Sequence, residues 1–222
     1  MLFRSEGSEV VDGRYMVAPK IDRRTKEGKS VWAEFVAEAE ATKKTVVPAD
    51  IMQTASQMLA AIKSNPQAEF LFNAPGMIEL PILWHDEGSG VWCRSKIDKV
   101  TESGVIYDIK TTTSIEKSIW SAEVARRQYH VQAAMYSEAA RQAGLCHGTP
   151  IFIHATIESS APFRTAMFVL SDASIELGRR SYQRTLAEIA QCHKTGDWAD
   201  PRHSGGVVID LPKWAYAMEE SL

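Results

Sequence analysis

Three short segments set the frame for this chain. MIELPILW (77–84) alternates Ile78, Leu80, Ile82 and Trp84 against a more polar side that carries Glu79, the period of a strand with one buried face. The turn HDEGSG leads to VWCRSKIDKV (91–100), and the turn TESG leads to VIYDIKTT (105–112). Connections this short join antiparallel neighbours, so the three segments predict a meander. Before it, VVPADIMQTASQMLAAIKSNP reads as a helix with Pro48 near its first turn and apolar residues at Ile51, Ala55, Met58, Leu59 and Ile62, stopped by Asn65-Pro66. A helix is also expected at 31–41. After the meander, residues 121–143 form a helix closed by Gly144, two strands follow at 150–158 and 163–170, and a long helix runs from Asp172 to about Lys194. Residues 1–30 read as polar and irregular. The order helix, three strands, helix, strand is an α/β arrangement in one domain.

The ends of the second and third strands carry the chemistry. In VIYDIKTT, Asp108 and Lys110 are two apart and share a face, about 7 Å apart at Cα, while Val105, Tyr107 and Ile109 face the other side. Asp98 ends the neighbouring strand, where the turn can bring it beside Asp108. Convergent carboxylates from Asp98, Asp108 and Glu79 suit a hard divalent cation such as Mg²⁺, which takes oxygen ligands and keeps several waters. An ion there polarises a phosphate and orients water, and a lysine two residues on can position or deprotonate that water. The pattern D-x-K alone is common, and most of its instances are surface ion pairs. In QYHVQAAMYSEAA, Gln128, Gln132 and Tyr136 recur at i, i+4 and i+8, on one face of the expected helix. A helix over a β core ordinarily shows aliphatic residues there. The polar line either reaches toward phosphates and the lysine or lies at the domain surface.

Composition excludes more than it selects. The 222 residues are 45% hydrophobic and 24% charged, ordinary for a globular protein. No apolar run is long enough to span a bilayer, and MLFRSEGSEVVDGR has no signal-peptide core, so a cytoplasmic protein is expected. Three scattered cysteines fit a reducing compartment and offer neither a disulfide framework nor a four-cysteine cluster. The net charge of −3 gives no support for nucleic-acid binding, although basic residues cluster at KIDRRTKEGK (20–29), at Arg126-Arg127 and around Arg179, Arg180 and Arg184. His130 and His154 read as structural histidines, His85 as a turn residue, and His147, His193 and His203 as members of polar connections. Histidine and cysteine spacing suggests no zinc site. No nucleophile triad forms around Ser114, Ser118 or Ser121, and GSG (88–90) is a hairpin turn. Trp32, Trp84, Trp92 and Trp120 are expected in the core rather than as base-stacking platforms.

Taken together, CRSKIDKV, YDIKTTTSIEKS, RQYHVQAAMYSEAA, IFIHATIE, LPKWA and KIDRRTKEGK closely resemble the RecE-like nuclease domain of exodeoxyribonuclease VIII. That family lies in the RecB-like branch of the PD-(D/E)XK nuclease superfamily. The resemblance runs from about residue 14 to the end. It implies a restriction-endonuclease-like α/β core, a mixed central sheet flanked by helices. It implies that Asp98 and Asp108 bind metal, that Glu79 is an acidic position near it, that Lys110 is catalytic, and that Gln132 and Tyr136 belong to the helix motif. The cofactor implied is Mg²⁺, with Mn²⁺ as a substitute. The activity implied is hydrolysis of linear double-stranded DNA from its ends, 5′ to 3′, leaving 3′ tails for an annealing protein or recombinase. Such relatives are bacterial, phage or prophage proteins, and several are ring-shaped homo-oligomers. Arg23 and Arg24 are candidates to hold a 5′ phosphate, since arginine pairs with phosphate through two hydrogen bonds. Relatives also carry a histidine-bearing helix ahead of the matched region, whereas here no histidine precedes His85. Residues 1–222 are therefore expected to form a single nuclease domain without that helix. Two other readings stand beside the exonuclease: a related nuclease of different polarity or substrate, and a truncated, impaired member that only binds DNA or a recombination partner.

Overall fold

A computed structural model describes residues 13–146, 148, 150–199 and 208–214. His147, His203 and most of the LPKWAYAMEE tail lie outside the described residues. Two short strands, β1 (Tyr15–Val17) and β2 (Thr45–Val47), pair in parallel around helix α1 (Lys26–Ala41). The stretch expected to be irregular thus contains a strand and the start of α1. Thr25 caps that helix, its Oγ1 accepting from the Gly28 N–H at 2.9 Å.

Helix α2 (Ala49–Ser64) ends where expected, but the chain turns at once into a second helix, α3 (Pro66–Asn73). Asn65 does both jobs: it closes α2 and its side chain accepts from the N–H groups of Gln67 and Ala68. Pro66 sits in the first turn, where its missing N–H costs nothing.

The meander forms as read: β3 (Gly76–Asp86), β4 (Val91–Thr101) and β5 (Ile106–Thr112) are antiparallel neighbours. His85 lies within β3 rather than in the turn. Strand β6 (Phe152–Glu158) pairs in parallel with β5, and β7 (Thr165–Val169) pairs antiparallel with β6. The sheet order is β3-β4-β5-β6-β7, mixed as expected. The predicted helix at 121–143 is in fact two, α4 (Lys117–Arg126) and α5 (Tyr129–Gln142), broken at Gln128, whose φ of 56° is left-handed. Helix α6 (Asp172–Thr195) closes the described fold, with His193 in its last turn.

Helices cover both faces of the sheet. On one side Ile82, Trp84, Ile97, Val100, Ile106 and Phe152 pack against α5 and α6. Four alanines of α5 (Ala133, Ala134, Ala139 and Ala140) are fully buried, and side chains this small let the helix lie close to the strands. On the other side Ile157 meets Met58, Ile62 and Ala68 of α2 and α3. Lys99 ties this layer to β4, its Nζ donating to the Phe72 carbonyl at 2.6 Å.

One glycine sets the approach of α6 to α5. A Cβ on Gly178 would lie 2.1 Å from the His130 carbonyl oxygen, which no side chain can occupy. Intrinsic propensity favours alanine over glycine in a helix by about 1 kcal/mol. Gly178→Ala is nonetheless expected to lower stability by about 1–3 kcal/mol through overpacking, read as a fall in the urea midpoint.

Candidate active site

The site lies where the ladder between β4 and β5 stops. Those strands pair at Lys99↔Tyr107 and Val100↔Ile106, and the next pair along would set Asp98 against Asp108. Instead the Asp98 carboxylate enters the gap, its Oδ2 accepting from the Ile109 N–H at 2.9 Å. A side chain has taken the place of a backbone acceptor, and the strands part there. On the other edge of β4 the ladder is also interrupted. Register places Glu79 across from Asp98, between the pairs Ile78↔Lys99 and Leu80↔Ile97, and Glu79 has a left-handed φ of 52°. That conformation costs a non-glycine residue about 1–2 kcal/mol. Its effect is visible in the core: Ile97 and Val100, three apart, face the same helices, which strict alternation forbids.

Asp108 is 1% exposed. Its Oδ2 forms an ion pair with Lys110 Nζ, and its Oδ1 lies 3.4 Å from Gln132 Nε2, at the limit of a hydrogen bond. Lys110 Nζ also lies 4.7 Å from the centre of the Tyr129 ring, within cation–π range. β6 supplies the remaining wall. His154 pairs in register with Asp108 and is fully buried among Trp120, Tyr129 and Phe152. Burial, with the Lys110 charge, pushes its imidazole down to about 3, so it is neutral. It is a structural histidine, as expected, but one placed beside the carboxylate. That neighbour depends on a parallel pairing across more than forty residues (154 − 108 = 46), which local pattern does not reveal.

The remaining candidates separate. Gln128 is the left-handed junction between α4 and α5, so it does not continue a face with Gln132 and Tyr136. Tyr136 packs on the core, its ring centre 6.5 Å from that of Phe152. Glu79 pairs with Lys96. Arg23 lies 3.3 Å over the Trp32 ring, and the Arg24 N–H donates to Asp22 Oδ1 in the turn ahead of α1. Trp84 and Trp120 are core residues and Trp32 is half-buried, whereas Trp92 is exposed, contrary to expectation.

Burial shifts both carboxylates toward higher pKa. Burial raises Asp98, with Glu79 adding to the effect and the Ile109 N–H and nearby lysines opposing it. Burial raises Asp108 to about 6, with Lys110 opposing and Asp98 adding. Apart from the Lys110 ion pair, Asp108 Oδ2 has no hydrogen-bond partner among the described residues. Two neighbouring buried carboxylates, one of them compensated chiefly by a lysine, are a fit for a hard divalent cation. Among the described residues no three His, Cys, Asp or Glu side chains gather closely enough to hold one alone. The donor set therefore suits an ion such as Mg²⁺, which is commonly bound by one or two carboxylates and completed by water and phosphate.

The profile of the PDDEXK-like domain of unknown function (DUF3799) matches residues 17–208. The chain belongs to this family. It is thereby placed in the PD-(D/E)XK nuclease superfamily, whose members are generally dependent on a divalent metal. The fold agrees. A crystal structure of a candidate exonuclease from Eubacterium rectale is similar, with a TM-score of 0.55 and 16% identity, over 85% of this chain and 74% of that one. The structure of SSO0001 is 17% identical over 78% of this chain and 69% of its own, at a TM-score of 0.34. Comparison with the curated proteins gives no match. In this PDDEXK-like domain, Asp98, Asp108 and Lys110 stand where the two strands diverge. No helix among the described residues is long and apolar enough to cross a membrane.

An acid whose folded pKa is raised keeps its proton longer in the folded state. Its burial therefore costs stability above the folded value, and that cost fades as pH falls toward the ordinary aspartate range. With a chelator present, Asp108→Asn is expected to raise stability at pH 7.5 by about 2–3 kcal/mol. The gain should shrink toward zero at pH 4. Urea unfolding at the two pH values checks it.

Proposed function

We propose that this domain is a Mg²⁺-dependent exodeoxyribonuclease that hydrolyses linear double-stranded DNA from 5′ to 3′, in the manner of the RecE-like enzymes. The observation that carries the reading is the meeting of Asp98, Asp108 and Lys110 at the parted strand ends of a PDDEXK-like chain. Mn²⁺ is the expected substitute for Mg²⁺. The products are 3′ single-stranded tails, passed to an annealing protein or recombinase, and the active form is a ring of identical subunits. A ring reconciles net charge −3 with DNA binding, because basic residues need only line the channel. Held by these carboxylates, such an ion would polarise the scissile phosphate and lower the pKa of water.

The chain's own residues do the rest. Asp98 and Asp108 would hold the ion. Glu79, ion-paired with Lys96, is the third candidate ligand. With Asp108 engaged in this way, Lys110 would be free of its ion pair to position the attacking water and offset charge on the phosphate. Gln132 keeps Asp108 turned toward the opening, and Tyr136 fixes α5 against the sheet. Tyr129 and His154 exclude water behind the lysine. Arg23 and Arg24 are candidates for the 5′ phosphate.

Linear, 5′-phosphorylated duplex DNA with Mg²⁺ is the test. Progressive loss of 5′-labelled ends is expected, abolished by chelation and slowed by about 10³-fold or more in Asp108→Ala and Lys110→Ala. Folded wild-type protein that leaves every DNA end intact in Mg²⁺ and Mn²⁺ would refute the reading and leave a binding-only domain.

A further inference from the structure

Among the described residues, no helix covers the outward face of the β3–β4 hairpin. Beyond the kink at Glu79 and Asp98, the inward residues of β4 are Cys93, Ser95 and Ile97, all buried against the α5–α6 side. The outward ones are Trp92, Arg94 and Lys96, all exposed, in line with Asp98. Leu83 on β3 sits across from Arg94 and is 68% exposed, and Trp92 is 65% exposed. His85, opposite Trp92, braces it with ring centres 5.1 Å apart. Trp92 and Leu83, with His85 beside the indole, form an exposed apolar patch of the kind that marks an interaction surface.

Charge decides what covers it. On β4 the uncovered face presents an aromatic ring, then Arg94, then Lys96, and it ends at the metal-binding Asp98. Alternate strand residues are about 6.7 Å apart, so Trp92 lies about 20 Å from Asp98. The step of about 6.7 Å is about twice the 3.4 Å step of a stacked duplex strand, so it suits an unstacked, extended one. Aromatic and basic residues along one groove are how proteins hold single strands without reading sequence.

We infer that the outward face of β4 is a binding track for single-stranded DNA, with a base stacked on Trp92 and phosphates on Arg94 and Lys96, leading to the carboxylates. The inference rests on the nuclease reading for its direction into the site, although binding is measurable without cleavage.

The test is fluorescence anisotropy of a fluorescein-labelled oligo(dT) with the full chain in EDTA, so that no cleavage intervenes. Trp92→Ala is expected to weaken binding roughly 5- to 100-fold, and Trp92→Phe to restore most of it. Arg94→Ala should reduce the slope of log K against log salt by about 0.7. An unchanged urea midpoint is expected for each variant, because these side chains are exposed. Trp92→Ala binding as tightly as wild type overturns the inference. So does a Trp92→Ala variant that alters sedimentation but not oligonucleotide binding, which would assign the face to a second copy of the chain. Duplex digestion, scored separately, keeps the two readings apart. Trp92-dependent binding without digestion refutes only the nuclease, and digestion with Trp92-independent binding refutes only the track.

Discussion

Where β4 and β5 part, the Ile109 N–H donates to a carboxylate of Asp98 rather than to a backbone carbonyl, and much of the site follows from that exchange. A backbone acceptor would have zipped the strands together and sealed the gap. The carboxylate keeps the ladder's donor satisfied while leaving the strands apart, and it brings one acidic group to face another. The left-handed Glu79 on the opposite edge allows β3 to follow the same bend. Opening the sheet and gathering its charge are thus one structural event.

The arrangement is costly to the protein on its own. Asp108 is buried beside a second carboxylate, with a lysine and a glutamine as its partial compensation. Burial holds both acids above their ordinary range, so the charged form is disfavoured where the domain would use it. A divalent cation held there would relieve that cost and free Lys110 from its ion pair. The same electrostatics that weaken the metal-free fold prepare it to bind an ion. Behind the lysine, Tyr129 and the neutral His154 form an aromatic wall held by Trp120 and Phe152. This wall keeps the lysine's surroundings poor in water without adding a competing charge.

Much of this was legible in the chain. The alternation in MIELPILW and the short polar turns fix the meander, and D-x-K places Asp108 and Lys110 on one face because strand period is two. What could not be read depended on contacts far apart in sequence or on single backbone angles. Helices α4 and α5 look continuous because nothing in ARRQYHV marks Gln128 as left-handed; the break lies in one φ value. His154 reads as any core histidine until parallel pairing with β5 sets it beside Asp108. Trp92 misleads for a different reason. Its alternation with Cys93 marks a strand with two unlike faces, but only the placement of α2 and α3 over the other end of the sheet leaves its side bare.

The central claim is that the parted ends of β4 and β5 hold a divalent cation between Asp98 and Asp108. Anomalous scattering from crystals soaked in Mn²⁺ tests it most directly. A peak bridging those two carboxylates, with Lys110 moved off Asp108, is the predicted result. Mn²⁺ bound elsewhere, with the Lys110–Asp108 ion pair intact at saturating metal, would contradict the account.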